Sequence, residues 1–550
     1  MAVLTINGVI RMMNRKPLQL RLKKFLLTCS MLPGALWAQN YYVDPLHGSS
    51  SNNGSQQAPW RTLEEMFKAG KKFSAGDHIY LLRGDHGAPV VTGANTGPVS
   101  IEALAGHTPV MQSLRVASAS NWNINGLFIG PKSAPKMTIV PVSHLVTISG
   151  DSHHITLENS YIFSDFLVDA WTQKNWKTQA RYGVLISGPN NTLRNNHIYN
   201  VVTGIQADFG AKNTLVDNNV VENFGHDGIQ EKGAFNRYQY NLIMNAFTMG
   251  DGNHPDGFQA YGSGNMHDTT LDSNIVLSSF RHPNPALYDG TMQGIGLFAS
   301  YVNYVVTNNI VMNDHRIGIW LLGGKNCKVI NNTVFRAGDH KATGGGPSGI
   351  RMFWVDARGK ASRNGVGNIV QNNIAEEFGL KNGDGSSVCA STTNCGFNLT
   401  NRSASLFLNT AKRDTHVTNS SSVINRGDPT YAPTIDADKV ARNSRIDLGA
   451  YEYLSTLTPD NTPPTAPQGL KALFAPGLGV DLSWTASTDN RKVVGYEIYR
   501  NGTRIGRIRA GTHFLDPILS TAGATYSVKA FDFSMNFSAE SKRVAPVAIS

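Results

Sequence analysis

Asparagine-containing turns, each soon followed by Ile or Val, recur through the middle of the chain. They are Asn195-Asn196, Asn218-Asn219, Asn241, Asn274, Asn308-Asn309, Asn331-Asn332 and Asn372-Asn373. Counted from Asn196, the spacings are 23, 22, 33, 35, 23 and 41 residues, a period near 22 with insertions. Short strand-and-turn units that cannot bury an apolar face alone stack on one another, so the pattern predicts a parallel β-solenoid. Side-chain amides stacked in tight turns would bond from coil to coil, which makes these asparagines structural. A core that grows by stacking accommodates 550 residues, and 54 glycines with only 16% charged residues suit turn-rich β structure.

A second series, Gly-apolar-x, runs in step with the first: Gly204-Ile205-Gln206, Gly228-Ile229-Gln230, Gly257-Phe258-Gln259, Gly294-Ile295-Gly296, Gly318-Ile319-Trp320 and Gly349-Ile350-Arg351. Period-two alternation turns the apolar residue inward and the next one outward. One outward column is then Gln206, Gln230, Gln259, Gly296, Trp320 and Arg351, and the next is Asp208, Lys232, Tyr261, Phe298, Leu322 and Phe353. Glu231 points inward by the same parity and needs a partner or a distorted strand. The insertions 248–253, 280–292 and 338–347 all fall between an asparagine-turn strand and a Gly-apolar-x strand, so they wall one face of the solenoid. Segment 164–180 adds Trp171 and Trp176, placed either to stack on sugar rings or to pack on the solenoid.

The chemistry concentrates between His226 and Tyr261. Two near-copies, His226-Asp227-Gly228-Ile229-Gln230 and His254-Pro255-Asp256-Gly257-Phe258-Gln259, lie 29 residues apart. In a solenoid, residues of equal rank stack about 4.8 Å apart, which sets Asp227 beside Asp256 and Gln230 beside Gln259. Two carboxylates so close share a proton at neutral pH, giving one acid to protonate a leaving oxygen and one base to activate water. His226 and His254 would tune this pair or bind substrate. The alternative is that both aspartates merely cap turns. Substrate would rest on Gln206, Gln230, Gln259 and Tyr261, with Arg281, His315, Arg316, Trp320 and Arg351 along the walls. A lyase arrangement is also open, with Lys232 as the base and Asp227, Asp256 and Asp251 holding Ca²⁺. The hydrolytic reading needs no cofactor.

The ends frame this domain. Residues 1–38 read as a signal peptide, with a basic stretch at Arg15–Lys24, an apolar run from Phe25 and Ala38 before the cleavage point. The chain is therefore expected to be secreted or periplasmic, and no later run is long and apolar enough to span a bilayer. In an oxidising compartment Cys389 and Cys395 are expected to pair, while Cys327 sits in an alternating strand as a small buried hydrophobe. The formal charge of +10 gathers in the leader and the last 90 residues. Residues 39–460 carry equal numbers of basic and acidic side chains, so charge gives no reason to expect a nucleic-acid partner. Thr62-Leu63-Glu64-Glu65 opens a short amphipathic helix. The solenoid, 39–455, closes near Ile446–Tyr453. A Pro/Thr-rich linker follows at 456–467, and 468–550 has the alternating strands and core Trp484 of a small β-sandwich.

Two resemblances follow from these residues. Ser483-Trp484-Thr485-Ala486-Ser487-Thr488-Asp489-Asn490 with Gly495-Tyr496-Glu497-Ile498-Tyr499-Arg500-Asn501-Gly502 resembles the fibronectin type III modules of bacterial carbohydrate-active enzymes. The Tyr41–Pro45 opening, the asparagine turns and the closing Asp447–Tyr453 resemble the right-handed parallel β-helix superfamily of pectate lyases, polygalacturonases and alginate-active enzymes. That resemblance implies a polysaccharide substrate, handled by a glycoside hydrolase, a polysaccharide lyase, a uronate epimerase or a non-catalytic glycan-binding protein. His254-Pro255-Asp256-Gly257-Phe258 is similar to the polygalacturonase Asn-Thr-Asp-Gly-Phe motif, whose Asp is catalytic. The Asp-Asp pair and the Arg-Ile-Lys of that family have no match here, and the epimerase Asp-Pro-His appears only with its order scrambled.

Overall fold

The computed structural model describes residues 38–130, 144–262, 266–280, 282–298, 301–338, 346–352, 354–355, 361–420, 422–475, 478–509, 511–518 and 520–548. The leader before Ala38, together with Arg281 and Phe353, lies outside the described residues.

Each turn of the solenoid supplies three strands. One coil contributes His197–Val201, Ile205–Ala207 and Leu215–Asp217; the next contributes Val220–Phe224, Asp227–Glu231 and Arg237–Gln239. Every strand pairs in parallel with its equivalent one coil on. Three parallel stacks therefore enclose a single apolar column that includes Ile205, Ile229, Phe258, Ile295 and Ile319. The stack that matters for function contains Ile205–Ala207 (β1), Asp227–Glu231 (β2), Asp256–Ala260 (β3), Gln293–Leu297 (β4) and Ile317–Leu321 (β5).

The asparagine repeat has two separate jobs. The residue before each stacked asparagine takes a left-handed turn conformation, with φ of 56° at Asn195, 53° at Asn218 and 54° at Asn308. Asparagine tolerates that region better than other side chains. The following asparagine is buried, and its amide donates to the next: Asn196 to Asn219 at 3.0 Å, Asn219 to Asn241 at 3.1 Å, Asn241 to Asn274 at 2.9 Å and Asn274 to Asn309 at 2.9 Å. Asn309, Asn332, Asn373 and Asn398 continue the ladder. Each Oδ1 also accepts the backbone N–H of the preceding rung, as Asn219 does from Asn196 at 3.0 Å. Buried polar groups are thus paired with one another along the whole stack.

At the amino end a helix, Leu63–Lys68, starts from Thr62, whose hydroxyl accepts from the Glu65 N–H. Its buried residues Leu63, Met66 and Phe67 join the solenoid core. The segment carrying Trp171 and Trp176 packs inward rather than offering rings to a sugar. Trp176 is fully buried, 4.4 Å from the Phe247 ring and 5.2 Å from Trp171. Cys389 and Cys395 form a disulfide with Cα atoms 5.8 Å apart, and Cys327 is a buried free thiol.

The carboxyl-terminal region is a β-sandwich. One sheet contains Gln468–Ala475, Gly479–Thr485 and His513–Asp516, and the other contains Val493–Arg500, Thr503–Ile508 and Tyr526–Asp532. Trp484 and Tyr496 meet edge to face at 5.2 Å in its core. The sandwich lies against the outer aromatics of the solenoid strands at Phe128, Tyr161, Phe163 and Tyr199. A buried ionic network seals the contact: Arg509 Nε lies 3.1 Å from Glu222, which also lies 3.0 Å from His197. Arg83 pairs with Asp481 at 3.3 Å. These contacts occupy the asparagine-turn stack and leave the outer side of β1–β5 uncovered by the sandwich.

Candidate active site

Strict alternation from Ile229 would turn Asp227 into the core beside it. Gly228 prevents this. A Cβ on Gly228 would sit 2.3 Å from Ile243 Cγ2, and one on Gly257 would sit 2.3 Å from Val276 Cγ1. The glycine and the apolar residue after it therefore both face the core. The residues on either side of that couple then both face out. Asp227 and Gln230 share the outer surface, with Gln230 Nε2 donating to Asp227 Oδ2 at 3.0 Å. Gln259 Nε2 donates to Asp256 Oδ2 at 2.8 Å in the same way. Position for position, β2 and β3 pair Asp227 with Asp256 and Gln230 with Gln259.

These strands floor a groove of about 840 Å³. Its lining includes Gln206, His226, Asp227, Gln230, Lys232, His254, Gln259, Tyr261, His315 and Arg316. Thr203, Gln293 and Ile317, the residues preceding Gly204, Gly294 and Gly318, line it too. Alternation alone hides this third outward column; a run of glycine followed by an apolar residue is the signal that reveals it. His144 and Tyr182 extend the groove one coil further.

The two aspartates are nearly inaccessible, with Asp227 2% and Asp256 0% exposed. Each keeps one carboxylate oxygen, Oδ1, buried without a hydrogen-bond partner. Burial, reinforced by the neighbouring Asp256 charge, pushes Asp227 well above the usual carboxylate range despite the Gln230 bond. Burial also raises Asp256, but the His254 ring, with Nδ1 3.0 Å from Asp256 Oδ2, opposes the rise. The same bond raises His254. Burial thus raises both carboxyls, Asp227 with the added push of the Asp256 charge, while the His254 ring opposes the rise at Asp256 alone. His315 is a different case: burial and the Arg316 charge lower it to about 4, so its ring is neutral.

Other expected site residues are placed elsewhere. Asp251 leaves the pair because His226 Nε2 holds its Oδ2 at 2.7 Å. Burial pushes the Asp251 carboxyl up, yet the His226 bond and the Asn253 N–H keep it below its ordinary value. The expected Ca²⁺ set of Asp227, Asp251 and Asp256 is consequently not assembled. Among the described residues, the acidic ligand atoms that converge within 4.8 Å belong to Asp460, Asp489 and Asp532, at the linker and sandwich. Lys232, proposed as a base beside those carboxylates, stands five residues along β2 from Asp227, about 16 Å at strand rise. Its ammonium lies over the Tyr261 ring at 5.2 Å and the Phe209 ring at 5.9 Å. Trp320 is not a stacking platform: it is 2% exposed beneath Arg316 and Arg351, 5.2 and 4.7 Å from its ring. Arg351 is drawn out of the groove by Glu377 at 2.8 Å. Glu231 does point inward, paired with the Tyr238 hydroxyl and with Asn236 Nδ2 at 3.1 Å.

The model of the right handed beta helix region matches residues 138–277. Exoglucanase B of Cellulomonas fimi is 45% identical over 87 residues, 16% of this chain and 8% of that protein. An alpha-amylase of Niallia circulans is 48% identical over 93 residues, 16% of this chain and 7% of that protein. The chain thus spans less than a tenth of the length of either relative. Among solved structures, pectate lyase Pel9A aligns with a TM-score of 0.44 and 18% identity, covering 76% of this chain and 96% of that one. A rhamnogalacturonan lyase aligns with a TM-score of 0.40 and 16% identity, covering 76% and 97%. Three parallel strand stacks together with the matched region define a right-handed parallel β-helix, followed by a β-sandwich.

Proposed function

We propose that this protein hydrolyses glycosidic bonds of a polysaccharide, with Asp227 as the general acid and Asp256 as the base that activates water. The observation that supports this reading is a pair of buried carboxylates in register on adjacent coils, each retaining an oxygen without a hydrogen-bond partner. Buried acceptors are almost always partnered, so an unsatisfied oxygen on each of two neighbouring carboxylates suits proton transfer better than turn capping. Asp227 donates its proton to the leaving glycosidic oxygen. Asp256, whose rise the His254 ring opposes, takes the proton of the attacking water. The similarity to a pectate lyase, a rhamnogalacturonan lyase and an exoglucanase agrees with a polysaccharide substrate.

A polysaccharide lyase is the second reading. It is favoured by Lys232 and Arg316, neither of which has a carboxylate partner among the described residues. Export is proposed from the leader pattern and agrees with the disulfide. No described helix is long and apolar enough to cross a membrane. The sandwich is proposed to be a fibronectin type III module on its sequence motifs.

The test is a polysaccharide panel read by new reducing ends and by the ultraviolet absorbance of unsaturated uronates. Hydrolysis gives the first without the second. Asp227→Asn and Asp256→Asn should each lower kcat by at least about a hundredfold with an unchanged circular dichroism spectrum. Full activity in both variants would end the paired-carboxylate mechanism.

A further inference from the structure

At the end of β2 farthest from Asp227, two large rings stand in solvent: Phe209 is 53% and Tyr261 44% exposed. They come from different coils, Phe209 from the turn after β1 and Tyr261 from the residue after β3. Between them lies the Lys232 ammonium, in reach of both ring faces. Gly262 closes this corner at a φ of 142°, and a Cβ there would lie 3.7 Å from the Phe209 ring. Among the described residues no carboxylate is in ion-pair range of Lys232, and Asp208, one coil back in the same outward column, makes no ion pair with it. An exposed cation–π contact is weak, so the ammonium is available to a stronger, anionic partner. The groove continues without interruption from Tyr261 and Lys232 past Asp227 to Arg316, whose Nε is buried without a partner.

We propose that Phe209, Lys232 and Tyr261 form a distal subsite that takes one sugar unit of a bound chain, its ring stacked on an aromatic face and its acidic substituent against the ammonium. This rests on the reading of the groove as a polysaccharide site and adds what the site selects. The subsite lies about 16 Å along the strand from the acid/base pair. It thus engages a unit remote from the bond that is cut, and a chain long enough to reach both would be held far better than a fragment. Phe209 carries no role in the chemistry and is invisible to column arithmetic, because it sits in a turn rather than on a strand.

Affinity electrophoresis in gels containing polygalacturonate, dextran sulfate or neutral xylan tests this without requiring turnover. All proteins carry Asp227→Asn so that no glycan is degraded during the run. Retardation should occur in an acidic gel and fall at least about fivefold in Phe209→Ala, the loss expected for one stacked ring. Lys232→Met should fall in the same gel and leave any retardation by xylan unchanged. Retardation by polygalacturonate alone assigns the acidic group to a uronate, and retardation by dextran sulfate assigns it to a sulfate ester. Absence of retardation in all three gels, or equal retardation of the parent and both variants, overturns the subsite. Retardation that responds to these variants, when the protein with Asp227 intact cleaves no member of the polysaccharide panel, would refute the hydrolytic reading while leaving the subsite in place.

Discussion

Glu231 offers the most quantitative test of how this strand is built. It is fully buried, bonded to the Tyr238 hydroxyl and Asn236, and burial raises its carboxyl to about 7 from an ordinary 4.5. In the unfolded chain the group would titrate normally. Between those two values the folded protein binds more protons than the unfolded one, so stability declines as pH rises. The contribution is fully present below about pH 4.5 and is lost as pH rises through about 7, a change on the order of 3 kcal/mol. Glu231→Gln keeps the shape and an acceptor for Tyr238 but cannot ionise. Urea unfolding of both proteins at about pH 4.5 and pH 8 gives a double difference in which every other titrating group cancels. The variant should gain on the parent by roughly 3 kcal/mol at the higher pH relative to the lower. An identical gap at the two pH values would show that Glu231 holds no extra proton in the fold, and the account of an inward carboxylic acid would fail.

Three further outcomes are expected. Gly228→Ala should destabilise the protein by about 1–3 kcal/mol through overpacking against Ile243, read as a lowered Tm; an unchanged Tm would refute the crowded glycine column. Asn274→Ala should destabilise by at least about 2 kcal/mol, because it strands the Asn241 N–H and Nδ2 that Asn274 accepts at 3.1 and 2.9 Å. His254→Gln removes the bond and charge that oppose the rise of Asp256. The acidic limb of the kcat/KM profile should then move to higher pH, and a profile with its acidic limb in place would show that His254 does not govern Asp256.

Much of the architecture was legible because a solenoid writes its period directly into the sequence. The asparagine turns gave the coils, and the pairing of Asp227 with Asp256 followed from equal rank. What alternation could not supply was the direction of each aspartate. Taken literally it sends Asp227 inward with Ile229, and only the close approach of Gly228 to Ile243 turns it out. The fate of long side chains was equally hidden. Residue type left Trp171 and Trp176 open between sugar stacking and packing and set Trp320 on the groove wall; in the fold all three are buried, Trp176 against Phe247 and Trp320 beneath Arg351 from the next coil. Asp251 was near the pair in sequence, but its partner His226 could be identified only from coordinates. Phe209 was missed because its turn carries no periodic signal.

The amide ladder also separates distance along the chain from distance in space. Neighbouring rungs are bonded alike whether they stand 22 or 35 positions apart in sequence, so the excess must bulge outward without disturbing the register beneath. A lineage could lengthen, shorten or exchange the rims of its trench one at a time while the strands of the floor stayed in place. New specificities on this framework would then be expected to arise by remodelling loops at fixed corners, with the two aspartates never moving.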